Sequence, residues 1–203
     1  MDNDEEIKEQ NNETYYFRME NVTTGSFAVG EKFDEYLDEE TPFFEYEFII
    51  EGNEDEKPAA ELVIKIATWD FYLDSNYALL CMDDEEADFA SSCCDYMNSG
   101  FCKKDEKCTF GRLVCIQRLY VYERYRGKGI AGYILDNLDR IIGKYIGVDI
   151  GRVLIFPRPQ HCDENNLNEK EDDPIMLKHM ISVLNRHGFK KIKNTNTYQK
   201  SYC

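Results

Sequence analysis

The run RLVCIQRLYVY, Arg112 to Tyr122, is the longest β-rich stretch of the chain, and YRGKGIAG, Tyr125 to Gly132, follows it almost directly. Beyond it Ile130, Ile134, Leu135, Leu138, Ile141 and Ile142 recur at helical spacing, while Asp136, Asp139 and Arg140 fall on the other side. A strand, a glycine turn and an amphipathic helix therefore succeed one another within about thirty residues, and the rest of the fold must accommodate that unit. The turn is also basic: Arg118, Arg124, Arg126 and Lys128 stand against the single acid Glu123, in a chain whose net charge is -16. Glycines let successive backbone N–H groups converge on phosphate oxygens, and a helix N-terminus adds about half a positive charge. The unit reads as a diphosphate cradle.

Several ligands could use such a cradle. Gly127, Gly129 and Gly132 spell the G-x-G-x-x-G of dinucleotide sites. That reading needs an acid about 20 residues on, at the end of the next strand. Asp149 stands near that distance but precedes the strand RVLIFP. A kinase loop would need V-A-I-K, H-R-D and D-F-G downstream, and a Walker A loop would need Ser or Thr where Gly129 follows Lys128. A turn that merely joins strand to helix accounts for the glycines but not for the basic cluster.

The remaining segments predict one mixed α/β (α+β) domain, since 203 residues suit a single core. A strand is expected from Thr14, a hairpin from FFEYEFIIE and AAELVIKIATW, a helix over Met82 to Gly100, a strand at Arg152 to Pro157, and a helix from Ile175 that stops at Gly188. KKIKNTNTYQKSYC closes as one or two strands. Residues 1–13, with six acids and one lysine, are expected to be disordered. Asp163 to Asp173 reads as a solvated loop or a mobile lid.

Charge and cysteine usage narrow the function. A net charge of -16 argues against gripping nucleic acid and suits a cationic partner, although acidity also serves solubility alone. No run of about 18 apolar residues could span a bilayer. The opening MDNDEEIKEQNNE lacks the features of a secretory signal, so a cytoplasmic protein with reduced thiols is expected. Cys93, Cys94, Cys102 and Cys108 could hold a structural zinc, but no C-x-x-C pair supports it.

The run LYVYERYRGKGIAGYILDNL resembles motif A of the GNAT superfamily of N-acetyltransferases. There an Arg or Gln, two residues, Gly, one residue, then Gly or Ala follow a strand and open a helix. Arg126, Gly127, Lys128, Gly129, Ile130 and Ala131 fill that pattern, and Gly188-Phe189 resembles the pair that ends a later helix of the family. The resemblance covers roughly residues 14–203, as a GNAT-like domain with a mostly antiparallel sheet of six to seven strands and an inserted helical segment at about 82–107.

It implies acetyl-CoA as cosubstrate, with the pyrophosphate on the backbone amides from Arg126 to Ala131. The pantetheine arm would pair with Leu119, Tyr120 and Val121 as an added strand. An amine of a small molecule or a protein would attack the thioester. A homodimer and a non-catalytic acyl-CoA-binding module on the same fold both stay open. Many members carry a tyrosine four residues before the glycine of the GF pair, where Leu184 stands here. Others place Glu or His near Gln117, which cannot act as a base. Candidate proton carriers are then Tyr198, Tyr202, Tyr120 and His187.

Overall fold

The computed structural model describes residues 5–10, 13–22, 43–52, 58–67, 92–93, 95–96, 111–163, 166–169 and 173–202. In chain order these form β1 (Glu5–Gln10), β2 (Glu13–Val22), β3 (Phe43–Gly52), β4 (Pro58–Ala67), β5 (Arg112–Val121), a 3-10 turn (Glu123–Tyr125), α1 (Ile130–Asp136), α2 (Leu138–Tyr145), β6 (Ile150–Ile155), β7 (Gln160–Asp163), β8 (Asn166–Glu169), α3 (Pro174–Arg186), β9 (Lys190–Lys191) and β10 (Tyr198–Ser201).

Alternation sets the faces of the central strands. Phe44, Phe48 and Ile50 on β3 and Leu62, Ile64 and Ile66 on β4 are fully buried. They lie in one apolar cluster with Ile134, Leu135, Leu138, Ile141 and Ile142 of the two helices that follow β5. The opposite face holds a smaller cluster of Leu113, Cys115, Leu154 and Ile192 with Cys93. Lys65 is buried on β4 and pairs with Glu45 at 3.4 Å. Arg152 donates to the Gln199 Oε1 at 2.9 Å.

Eight strands form one sheet in the order β1-β2-β3-β4-β5-β6-β10-β9. Every described pairing is antiparallel except β5 with β6. Parallel neighbours need a crossover, and α1 and α2 supply it. The helix expected from Gly129 is thus two, broken at Asn137, where φ is -115° and ψ 16°. The Asn137 amide donates to the Tyr133 carbonyl at 2.9 Å. Asparagine competes in this way with the helical ladder and favours an interruption.

Three expectations change. Glu5–Gln10, read as part of a disordered terminus, pairs with β2 as an edge strand, and the sheet has eight strands instead of six or seven. Backbone pairing does not require the apolar side chains that the sequence lacks there. The stretch from Asp163 is not simply a loop, because β7 and β8 pair as a two-stranded antiparallel ribbon. Of the helix expected at 82–100, and of the inserted segment around it, Ser92, Cys93, Asp95 and Tyr96 are helical and the remainder lies outside the described residues. Cys94, Cys102 and Cys108 are also outside them; no cluster of three or more metal-ligating side chains exists among the described residues. No helix among them is long and apolar enough to cross a membrane.

Two glycines separate conformational need from convenience. Gly111 opens β5 at φ 114°, and a Cβ there would stand 2.4 Å from the Gly151 amide nitrogen. Gly143 is exposed on α2, with nothing nearer than 4.0 Å to an added Cβ. Gly111→Ala should lower stability by about 1–3 kcal/mol, and Gly143→Ala should raise it by about 0.5–1 kcal/mol. Thermal melts of the two variants check both signs.

Candidate functional site

The register between β4 and β5 slips once. Val63 lies opposite Arg118 and Ile64 opposite Ile116, which leaves Gln117 as an extra residue on β5. A bulge of this kind bends its strand and increases the local twist. On the other side of β5, the pairing with β6 ends at Ile116 and Ile155, where β6 itself ends. Pro157 and Pro159 follow and cannot donate to a ladder. From Gln117 to Val121, therefore, one edge of β5 has no strand partner among the described residues.

A cleft of about 1370 Å³ opens where the two strands part. Its walls include Gln117, Leu119, Tyr120 and Val121 of β5, the glycine turn and α1, Phe156, Pro157 and Arg158 after β6, and one face of α3. It reaches through the sheet: Leu135 and Leu184 belong to the helix-covered core, while Cys115 belongs to the cluster on the opposite face. The volume exceeds the ~300–1,000 Å³ usual for one small ligand. Two reactants approaching from opposite faces can meet in such a space.

The turn at its mouth is held from both ends. Tyr125 and Arg126 N–H donate to the Tyr122 and Glu123 carbonyls at 2.8 and 3.1 Å. Gly127 and Gly129 then adopt left-handed φ values of 78° and 83°. A Cβ at Gly127 would meet nothing within 4 Å, so the demand there is conformational. Gly129 caps α1 without a side-chain bond, and the Tyr133 N–H returns to its carbonyl at 2.9 Å. The N–H groups of Ile130, Ala131 and Gly132 in the first helical turn have no acceptor among the described residues.

The basic residues do not all serve alike. Arg126 folds back, its Nε donating to the Val121 carbonyl at 3.0 Å and its Nη2 to the Tyr120 hydroxyl at 3.3 Å. It braces the end of β5 against the turn. Its own N–H is engaged with the Glu123 carbonyl. Lys128 turns its ammonium over the Tyr125 ring, 5.2 Å from the centroid, and is not part of the cleft lining.

Among the candidate proton carriers, two leave the site and two stay. Tyr198 is buried in the core, where burial raises its phenol above the ordinary range, and it does not line the cleft. Tyr202 donates to the Leu135 carbonyl at 2.8 Å, and burial with Asp139 and Asp136 nearby raises its phenol strongly. Tyr120 lines the cleft, but its hydroxyl accepts from Arg126, and its ring packs edge-on against Tyr122, itself bonded to Glu61. His187 also lines the cleft, at the C-terminal cap of α3, and its Nδ1 lies 2.9 Å from the Asp136 carboxylate on α1.

Gly132 explains how that pair can form. A Cβ at Gly132 would stand 2.6 Å from the His187 Nε2. The third glycine of the turn is thus a place where the ring seats, a role that the motif alone did not announce. Other cleft residues escaped the sequence reading: Phe156 to Arg158, Asp136, and Met176, His179, Met180 and Val183 of α3. Spacing on α3 could have marked the last four as one face. Comparison with family models gives no match, and comparison with curated proteins gives none either.

Gly132→Ala gains helix propensity but drives the ring away from Asp136. The two effects are each about 1 kcal/mol or less, so stability should change by less than about 1 kcal/mol. The expected signature is a displaced His187 ring, seen by crystallography or as a changed imidazole resonance, with a nearly unchanged melting temperature.

Proposed function

We propose that this chain is an acetyl-CoA-dependent N-acetyltransferase of the GNAT type, which transfers the acetyl group to a primary amine. The observation that carries the reading is the edge of β5 from Gln117 to Val121, which has no strand partner among the described residues and opens on a cleft continuous with the glycine turn. The two amides of a pantetheine arm fit the role of an added strand along Leu119 and Val121. The N–H groups of Ile130 and Ala131, which have no acceptor among the described residues and stand at the start of a helix behind the glycine turn, suit a pyrophosphate. Backbone donors along the same edge can hold the thioester carbonyl and the oxyanion that forms from it.

A cleft that passes through the sheet suits direct attack, with donor and acceptor meeting from opposite faces. The net charge of -16 favours a cationic amine over a nucleic acid as acceptor. A second reading, an acyl-CoA-binding module without chemistry, draws support from Leu184, which is buried and offers no hydroxyl where the family often has one.

Calorimetry with acetyl-CoA and a thiol-release assay over polyamines, aminoglycosides and peptide amines separate the readings. Binding with turnover supports the transferase, binding without turnover supports the module, and no binding removes both. Gly129→Glu should weaken acetyl-CoA binding by about 100-fold or more, because a like charge placed against the pyrophosphate costs several kcal/mol. Unchanged affinity in that variant, with the fold intact by circular dichroism, would show that the cradle is elsewhere.

A further inference from the structure

We infer that His187 is the proton carrier of the site and that Asp136 is its positioning residue; the assignment rests on the acyl-transfer reading above. Four observations converge on it. The imidazole lies in the wall of the cleft, with its side chain 24 % exposed. Its Nδ1 lies 2.9 Å from the Asp136 Oδ1, which leaves Nε2, on the Gly132 side of the ring, as the nitrogen not engaged by the carboxylate. Gly132 leaves the ring its seat, at the cost of a glycine in the first turn of α1. Leu184 and His187 are one turn apart on α3, so the imidazole takes up a proton-carrying role one turn from a position that carries only a methyl-bearing side chain.

The groups around the pair are few and identifiable. From β10, Lys200 approaches the same Asp136 oxygen at 3.8 Å and donates to the Leu135 carbonyl at 3.0 Å. Tyr202 donates to that carbonyl too, and Asp139 of α2 lies close enough to act on its phenol. On α3 itself Arg186 is adjacent in sequence, and its Nε is engaged with the Ser182 carbonyl at 3.4 Å. His179 lines the cleft two turns earlier on α3, but the carboxylate partner belongs to His187.

The step balances without any further reactant. A free amine attacks the thioester carbonyl carbon with its lone pair, and as the C–N bond forms its proton passes to Nε2. As the C–S bond breaks, the imidazolium returns that proton to the departing thiolate. Amide and free thiol leave, and the imidazole ends neutral. Asp136 stabilises the imidazolium while it exists and does not itself take the proton.

The test is the pH profile of acetyl transfer in wild type, His187→Gln and Asp136→Asn, beside calorimetry with acetyl-CoA. Glutamine keeps a donor for Asp136 but cannot titrate. His187→Gln should lose about 100-fold or more in kcat and the acidic limb of the profile, with acetyl-CoA affinity within about twofold of wild type. Asp136→Asn should keep the limb, with a smaller loss in kcat. A His187→Gln enzyme that retains rate and limb, or whose limb moves to His179, overturns the assignment. So does loss of acetyl-CoA binding in that variant, which would mark a structural tie between α1 and α3.

A second readout does not depend on turnover. The imidazole resonance of His187, assigned by its absence in His187→Gln, should shift when acetyl-CoA saturates the wild type. An unmoved resonance in a protein that binds acetyl-CoA overturns this inference and leaves the acyl-CoA reading standing. Failure of the wild type to bind acetyl-CoA overturns the reading, and this assignment with it.

Discussion

One extra residue marks the place where the sheet opens into the cleft. Gln117, the extra residue between Ile116 and Arg118 in the pairing with β4, stands just where the pairing of β5 with β6 ends and β6 runs into Phe156 and Pro157. Up to that point the two strands are held parallel by the crossover through α1 and α2, with Val114, Ile116, Val153 and Ile155 in one core cluster. Beyond it the same strand presents backbone donors and acceptors to a cleft. An unpaired edge inside a sheet is ordinarily a liability, because it invites another strand. Here the walls of α3 and the segment after β6 flank it, so what can pair there must be narrow and extended.

The bulge also explains why the glycine turn works as a mouth. Val121, at the end of the bent strand, receives the Arg126 guanidinium on its carbonyl, and Tyr120 receives it on its hydroxyl. The turn is thereby fastened to the strand that it leaves, and Gly127 and Gly129 can hold left-handed conformations without drifting. Of the basic residues that gave the turn its sign in the sequence, Arg126 serves mainly as a brace and Lys128 rests on an aromatic ring. Both side chains that carry the local charge there have structural duties.

This division shows what can be read from the chain and what cannot. The hairpin β3–β4, the strand β5, the turn and the stop at Gly188 were legible because each is encoded by neighbours: alternation, glycine, and a residue before it in the helical period. The eight-stranded order was less so, since β1 is made of Glu, Ile, Lys and Gln and pairs through its backbone. Nothing in IQR announces that Gln117 will be skipped by its partner strand. The pairing of His187 with Asp136 joins residues far apart in sequence, and no local pattern relates them. Gly132 was visible as a letter of a motif, yet its use depends on a ring that arrives from α3.

Asp136 is the last residue of α1, where a negative charge meets the negative end of the helix dipole and costs about 0.3–1 kcal/mol. His187 caps α3, where a positive charge is favoured by the same rule. Two helix C-termini therefore meet with one acid in an unfavourable place and one potential cation in a favourable one. Lys200 and His187 both converge on the misplaced acid, at 3.8 and 2.9 Å, and Lys200 and Tyr202 both satisfy the neighbouring Leu135 carbonyl. A helix end built only for stability would carry a basic or neutral residue at 136 and an alanine at 132. Keeping the acid and the glycine costs the helix twice, and what the two together secure is an imidazole held against α1 in the wall of the cleft.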